Sequence, residues 1–150
     1  MKRVNLTSAP FEFSELSKAF RVFAGDVGAI ASFTGFVRGE DGAVDALSLS
    51  HYPGMTEAEI DRIIKQASER WSITACHVTH RVGDMRPGDA IVFVAAASAH
   101  RRDAFEAVDF LMDYLKSEAP FWKKEIGADG AKWIEPKKQD KRDIARWSEQ

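Results

Sequence analysis

The sequence has few of the residues and patterns on which many catalytic and binding sites are built. Its single cysteine, Cys76, excludes an intrachain disulfide and any zinc site that needs paired cysteines. It contains no P-loop, no GxGxxG dinucleotide fingerprint, no HExxH helix and no GxSxG elbow. The longest apolar run, 90–97, is too short to cross a bilayer, and the basic start at 1–3 is not followed by a hydrophobic signal segment. We therefore expect a cytoplasmic protein with no metal and no cofactor.

The sequence also has no large excess of positive or of negative charge. The 150 residues carry a net charge of -2, with 45% hydrophobic and 29% charged residues, as in ordinary globular proteins. A nucleic-acid site at Arg101, Arg102 and the basic run 137–142 stays a weak alternative, because acidic residues interleave with the basic ones. The length favours one domain over 1–150, with lower order in the tail 137–150 as one possibility.

Periodicity predicts a mixed α+β domain with a mainly antiparallel sheet and two main helices. An irregular or edge-strand lead covers 1–13, and Ser14 is a candidate cap for a short helix. The expected strands are 28–37, 44–51, 73–82, 90–97 and a short one near 132–135, with a turn at 86–89. Thr56 and Glu59 form a potential capping box before a helix whose apolar face is Ile60, Ile63, Ile64 and Ala67.

The second main helix starts near Arg101 and ends before Pro120. Its expected apolar stripe consists of Phe105, Val108, Leu111, Met112 and Leu115. Basic or titratable groups lie at both ends of this helix, with His100 and Arg101 at the start and Lys116 at the end. Lys123 follows in the apolar company of Phe121 and Trp122.

Each of these groups has an ordinary interpretation beside a functional one. Cations at a helix start oppose the helix dipole unless an anion compensates, so His100 and Arg101 indicate either an anion site or a solvated surface. Arg38, which follows a strand, is either a phosphate ligand or an exposed strand-end residue. From spacing alone, Lys116 and Lys123 would by default be surface lysines whose stems cover apolar neighbours.

The remaining titratable groups favour structural roles. Cys76 lies in an alternating strand with only His77 beside it and is a poor candidate nucleophile. His77 and His80 are an unsuitable pair for a metal, because residues three apart on a strand point to opposite faces.

With these residues in place, the chain resembles the large, catalytic subunit of molybdopterin synthase. The resemblance covers about residues 28–135 and consists of short blocks in the order of that family. The blocks are FTGFVR (33–38), HYPGM (51–55), HRVG (80–83), PGD (87–89), SAHR (98–101), AFEA (104–107), DYLK (113–116), APFWKKE (119–125) and WIE (133–135). The fold implied by this resemblance is α/β-hammerhead-like.

The resemblance implies a sulfurtransferase of molybdenum cofactor biosynthesis. Enzymes of this family convert cyclic pyranopterin monophosphate to molybdopterin by adding two dithiolene sulfurs. The sulfur arrives as a thiocarboxylate on the C-terminal Gly-Gly of a small ubiquitin-like carrier subunit. A sulfur-transferring chain with one cysteine is then understandable, because its partner supplies the sulfur. A non-catalytic module that binds the pterin phosphate or the carrier tail is the alternative.

The resemblance also implies roles for individual residues. Lys116 matches an acid/base or transient covalent group, and Lys123 matches a residue that orients the substrate or the carrier tail. Burial against Phe121, Trp122 and Met112 would lower the pKa of a lysine and favour its neutral form.

Four further residues match the pocket for the pterin phosphate. Arg38, His100 and Arg101 correspond to lining residues that would neutralise the phosphate. Lys137 stands where the family often has arginine after the WIE block, with Lys138 as the alternative, and a lysine cannot make a bidentate contact.

Helix geometry adds an inference about assembly. Arg101 and Lys116 are fifteen residues apart, which corresponds to roughly 22 Å of helix. A pterin monophosphate is too short to reach both ends. We therefore predict a homodimer with each site shared across the interface and, with two carrier subunits, a heterotetramer.

Overall fold

Two four-stranded sheets and four α-helices form the fold in a computed structural model that describes residues 1–134 and 138–149. The strands are β1 Lys2–Thr7, β2 Ala29–Phe36, β3 Ala46–His51, β4 Ile73–Arg81, β5 Gly83–Met85, β6 Ala90–Ser98, β7 Phe121–Gly127 and β8 Gly130–Ile134. The helices are α1 Phe13–Ala24, α2 Met55–Arg70, α3 Arg101–Ser117 and α4 Lys138–Ala145, with 3₁₀ turns at Glu40–Gly42 and Arg146–Glu149. The predicted α+β class is confirmed.

The first sheet has the order β1-β4-β6-β2, in which only the β1–β4 pair is parallel. Its central strand β6 is buried from Val92 to Ser98, as its continuous apolar run predicts. Helices α2 and α3 contribute to the main core against this sheet. Helix α1 packs Phe20 against Phe93 on the opposite face.

The second sheet has the order β5-β3-β7-β8 and is antiparallel throughout. Strand β7 follows α3 after a short corner at Pro120 and pairs with β3, so that Lys123 lies opposite Leu49. The sequence pattern did not predict β7 or the short strand β5. Because β7 joins the end of α3 to this sheet, it determines where the second lysine lies.

Three local predictions need correction. Phe105 is 60% exposed, whereas Val108, Leu111 and Leu115 of the predicted stripe are buried, and Ala104, Ala107 and Phe110 complete the buried face of α3. Helix α1 begins at Phe13 after Glu12, so Ser14 is not its cap. The predicted capping box at Thr56 is also absent, since Glu57 accepts the hydrogen bond from the Gly54 N–H (2.6 Å) at the start of α2.

The chain end forms helix α4 and a 3₁₀ turn. Trp147 is 1% exposed and packs edge-on against Trp71 and Phe110. Its Nε1 donates to the Asp113 carboxylate (2.6 Å), and Arg70 donates to its backbone oxygen (2.8 Å). Residues 138–149 therefore belong to the folded unit. Among the described helices, none combines the length and the apolarity that crossing a bilayer requires.

Candidate active site

A cavity of about 260 Å³ lies where the end of α3 meets the second sheet. Its walls are mainly apolar, with Met112 and Leu115 from α3, Ile91 from β6 and Phe121 from β7 among them. The charged or titratable side chains among its described lining residues are His80, Lys116, Lys123 and Asp140. The structure thus brings together the two lysines that the sequence indicated.

Lys116 and Lys123 reach this cavity from different elements. Lys116 is in the last turn of α3, where a cation is favoured by the helix dipole, and its side chain is exposed. Lys123 is half-buried on β7, on the same face of the strand as Phe121. Of the two lysines, which were expected to be buried against apolar neighbours, only Lys123 is therefore partly buried. Trp122 does not contribute to it, because its ring lies on the opposite face of β7 against Tyr52, with ring centroids 4.0 Å apart.

His80 is a lining residue that the sequence reasoning did not assign to a site. It lies near the end of β4, and its ring stacks on Phe121 with centroids 4.3 Å apart and planes inclined by 25°. Its Nδ1 is 2.9 Å from the backbone oxygen of Arg81. Desolvation lowers the pKa of His80 to about 4, and the positive charges of Lys116 and Lys123 act in the same direction.

His77 has a structural environment on the other face of β4. Its ring contacts Phe20 and Phe93, and its Nε2 lies 2.6 Å from the hydroxyl of Thr79. The expectation that His77 and His80 face opposite sides is confirmed. Cys76 is buried, and desolvation raises the pKa of its thiol to about 12, as suits a structural cysteine.

The predicted phosphate ligands lie outside this cavity and at two different ends of the molecule. His100 and Arg101 are exposed at the start of α3, next to the end of β6 at Ser98. Arg38 follows β2, whose last residue, Phe36, pairs with Ala90 at the start of β6. Strand β2 spans about 23 Å between these ends. Within one chain, Arg38 is thus near the lysine end and far from His100 and Arg101.

Arg38 is also weakly held. Its guanidinium lies 3.4 Å from the Glu40 carboxylate, and its side chain is 73% exposed. An exposed pair of this kind contributes little to stability, so the arginine is available to an anionic ligand. Lys137 lies outside the described residues.

Comparisons with known proteins agree on one family. The family described as MoaE protein matches residues 6–118. The molybdopterin synthase catalytic subunit of Caulobacter vibrioides is 52% identical over 147 residues, which cover 98% of this chain and 98% of the relative. The chain belongs to the MoaE family.

Solved structures agree with this membership. The MoaE protein of Burkholderia ambifaria has 42% identity and a TM-score of 0.84, with 99% of both chains covered. The molybdopterin synthase structure from Staphylococcus aureus has 31% identity and a TM-score of 0.79, covering 90% of this chain and 98% of that one.

Membership in the MoaE family confirms the predicted activity class. The chain is a sulfurtransferase of molybdenum cofactor biosynthesis, the catalytic subunit of a molybdopterin synthase. The pocket of this MoaE chain suits such chemistry, because two cations that line one cavity can hold an anionic sulfur donor. His80 could have been noticed in the sequence, since it opens the HRVG block, but only the fold brings it beside the lysines.

Proposed function

We propose that the cavity at Lys116 and Lys123 is the site at which sulfur passes from the C-terminal thiocarboxylate of a small ubiquitin-like carrier subunit to cyclic pyranopterin monophosphate. The observation that carries this proposal is the convergence of both lysines on one cavity at the end of α3. A glycine tail has no side chains and is the narrowest peptide that could enter. Its terminal anion would be attracted by both ammonium groups.

Lys116 and Lys123 have different surroundings, which supports different roles. The exposed Lys116 can change position and reach a substrate, so we assign it the acid/base or transient covalent role. Lys123 projects from a paired strand, where its backbone is held on both sides by β3 and β8, and we assign it the orientation of the substrate or carrier tail.

The phosphate site is part of the same proposal. Arg38 lies at the lysine end of the molecule, whereas His100 and Arg101 lie at the far end of α3. This separation supports a homodimer in which one chain supplies the lysines and Arg38, and its partner supplies the histidine and arginine at the start of α3. With one carrier subunit on each pocket the assembly is a heterotetramer, and we propose that it works in the cytoplasm.

Reconstitution tests the proposed site. Thiocarboxylated carrier and cyclic pyranopterin monophosphate are mixed with wild-type enzyme, Lys116→Ala, Lys123→Ala or the control Lys18→Ala, an exposed lysine on α1. Mass spectrometry should show dithiolene product with the wild type and the control, and a loss of at least about a hundredfold in rate with Lys116→Ala.

Two outcomes would contradict the proposal. Full activity of both lysine variants would remove the pocket from the reaction. Absence of product with the wild type, together with measurable binding of the pterin or the carrier, would instead support the non-catalytic binding module. Lys116→Ala would then change only affinity.

A further inference from the structure

The imidazole of His80 is held on two sides in a single orientation. Phe121 stacks against one face of the ring, and the Arg81 backbone oxygen lies 2.9 Å from Nδ1. A carbonyl oxygen can only accept a hydrogen bond, so Nδ1 carries the proton in the neutral ring. The other nitrogen, Nε2, then has a free lone pair. His80 therefore contributes a hydrogen-bond acceptor to a cavity that also contains two ammonium groups.

Burial, and to a smaller extent the charges around it, keep the His80 ring neutral. Lys116 on α3, Lys123 on β7 and Asp140 on α4 are the charged side chains that line the cavity with it in the described part of the chain. Desolvation lowers the pKa of His80 to about 4, with a smaller contribution in the same direction from each lysine. Proton transfer from a lysine ammonium to such a ring is uphill at neutral pH. His80 is consequently suited to accept a hydrogen bond and unsuited to act as a base.

Lys116 is the lysine that needs such an acceptor. Its charge acts on His80 more strongly than that of Lys123. Across residues 1–134 and 138–149, its ammonium group makes no hydrogen bond and no ion pair within the chain. A lysine head on a flexible four-carbon stem has no fixed direction unless an acceptor supplies one.

We propose that His80 is a positioning residue for Lys116, whose ammonium group donates a hydrogen bond to His80 Nε2 when substrate fills the cavity. The bond draws the exposed lysine over the cavity and sets the direction in which its remaining protons point. This inference rests on the proposed role of Lys116 in sulfur transfer. It adds a third side chain to the lysine pocket and gives β4 a part in the reaction.

Three substitutions separate the two ring nitrogens. His80→Gln can place an amide oxygen near the position of Nε2. His80→Asn reaches only as far as Nδ1, and His80→Phe keeps an aromatic ring against Phe121 but has neither nitrogen. Steady-state kcat and KM are measured for each with thiocarboxylated carrier and cyclic pyranopterin monophosphate. His80→Phe and His80→Asn should lose about ten- to a hundredfold in kcat, with KM changed by less than about threefold. His80→Gln should stay within about threefold of the wild type.

The pH profile adds a readout that a purely structural role would not move. Loss of the acceptor removes a hydrogen bond to the charged form of the lysine. The lysine-dependent limb of the plot of kcat against pH should therefore shift to lower pH in His80→Phe. In His80→Gln this limb should lie at the same pH as in the wild type. Should His80→Phe fail to fold, the Gln and Asn variants, which differ by one methylene, still decide the question. Equal activity of these two variants would overturn the proposal.

A double-mutant cycle distinguishes this inference from the proposed function on which it rests. If Lys116→Ala retains full activity, the proposed role of that lysine fails. If Lys116→Ala is impaired and His80→Phe has wild-type kcat, the inference about His80 alone fails. If His80 acts through Lys116, adding His80→Phe to Lys116→Ala should cause little further loss, because both changes remove the same interaction. Additive losses would count against the proposal.

Discussion

The two lysines of the pocket occupy backbone positions of different predictability. Lys116 follows an apolar helical repeat, so its place near the end of a helix could be predicted from the sequence. Lys123 lies in the run Lys123-Lys124-Glu125, which has no apolar alternation and was not predicted as a strand. That run becomes a strand because β3 and β8 pair with it on both sides, and such pairing is a tertiary effect.

His80 was also beyond what sequence could assign to the site. A histidine on a strand can lie in the core, lie at the surface or bind a ligand. The face of the strand to which it points does not distinguish these possibilities. The role proposed for it depends on a ring from β7 and a lysine from α3, both distant in sequence. The loss of folding stability at acidic pH tests the environment of His80 without an activity assay.

At residue scale, His80 should make the protein less stable toward acid. Its pKa falls from 6.5 in an ordinary environment to about 4 in the fold. Between these values the unfolded chain binds more protons than the folded one, so stability is fully present above about pH 6.5 and is lost as the pH falls toward 4. Urea unfolding at pH 7 and pH 5 should show about 1 to 2 kcal/mol less acid destabilisation in His80→Gln than in the wild type.

The control for this measurement is His100→Gln, which changes an exposed histidine at the start of α3. The pKa of His77 is also lowered, by desolvation and then by the charge of Arg3, but His77 is unchanged in both proteins and cancels from the comparison. An identical loss of stability between pH 7 and pH 5 in wild type and His80→Gln would contradict the prediction.

At element scale, a residue of α2 stabilises the corner between α3 and β7 through a hydrogen bond. Thr56 is fully buried, and its hydroxyl donates to the Pro120 backbone oxygen (3.0 Å) and accepts from the Tyr52 N–H (3.1 Å). Pro120 lies between the elements that bear the two lysines. The sequence pattern correctly predicted α2 and its buried isoleucines, but the contact from Thr56 to a residue 64 positions away could not be read from local spacing.

Thr56→Val should therefore loosen this corner while keeping the shape of the side chain. Two backbone groups lose their partner, so we expect a destabilisation of about 1 to 3 kcal/mol and a lower rate of sulfur transfer. Thr56→Ser retains the hydroxyl and should keep most of the stability and most of the rate of sulfur transfer. Chemical unfolding and product formation are measured on the same preparations. Equal behaviour of the Val and Ser variants would show that the hydroxyl does not fasten the corner.

A second element-scale prediction concerns the chain end, whose packing was not predicted. Trp147 fills a space between Trp71 and Phe110, and Asp140 in the preceding helix α4 lines the lysine cavity. Trp147→Ala should cost about 3 to 5 kcal/mol in the free energy of unfolding. Trp133→Ala, at a tryptophan that is 63% exposed on β8, is the matched control and should cost less than about 1 kcal/mol. Similar losses for both would mean that the chain end does not pack as described.

At the scale of the whole molecule, the basic groups lie too far apart within one chain to serve one site, so the proposed site needs a second copy of the chain. The sheet register separates Arg38 from His100 and Arg101 by the length of β2, and α3 separates Arg101 from Lys116. The sequence predicted the second separation from helix rise alone. The first needed the pairing of β2 with β6, which no local pattern specifies. Both separations favour a site completed by a second copy of the chain.

Mixed dimers test this arrangement directly. An Arg101→Ala chain and a Lys116→Ala chain, each with a different affinity tag, are coexpressed and the mixed dimers are purified through both tags. If each site takes its lysines from one chain and Arg101 from the other, one site per mixed dimer carries both substitutions and the other is intact. The mixed dimers should then regain about half of the wild-type activity, while either variant alone is impaired. Mixing Lys116→Ala with Lys123→Ala is the control, because every pocket then lacks one lysine and no activity should return. Recovery in this control, or none in the first mixture, would refute a site shared in this way.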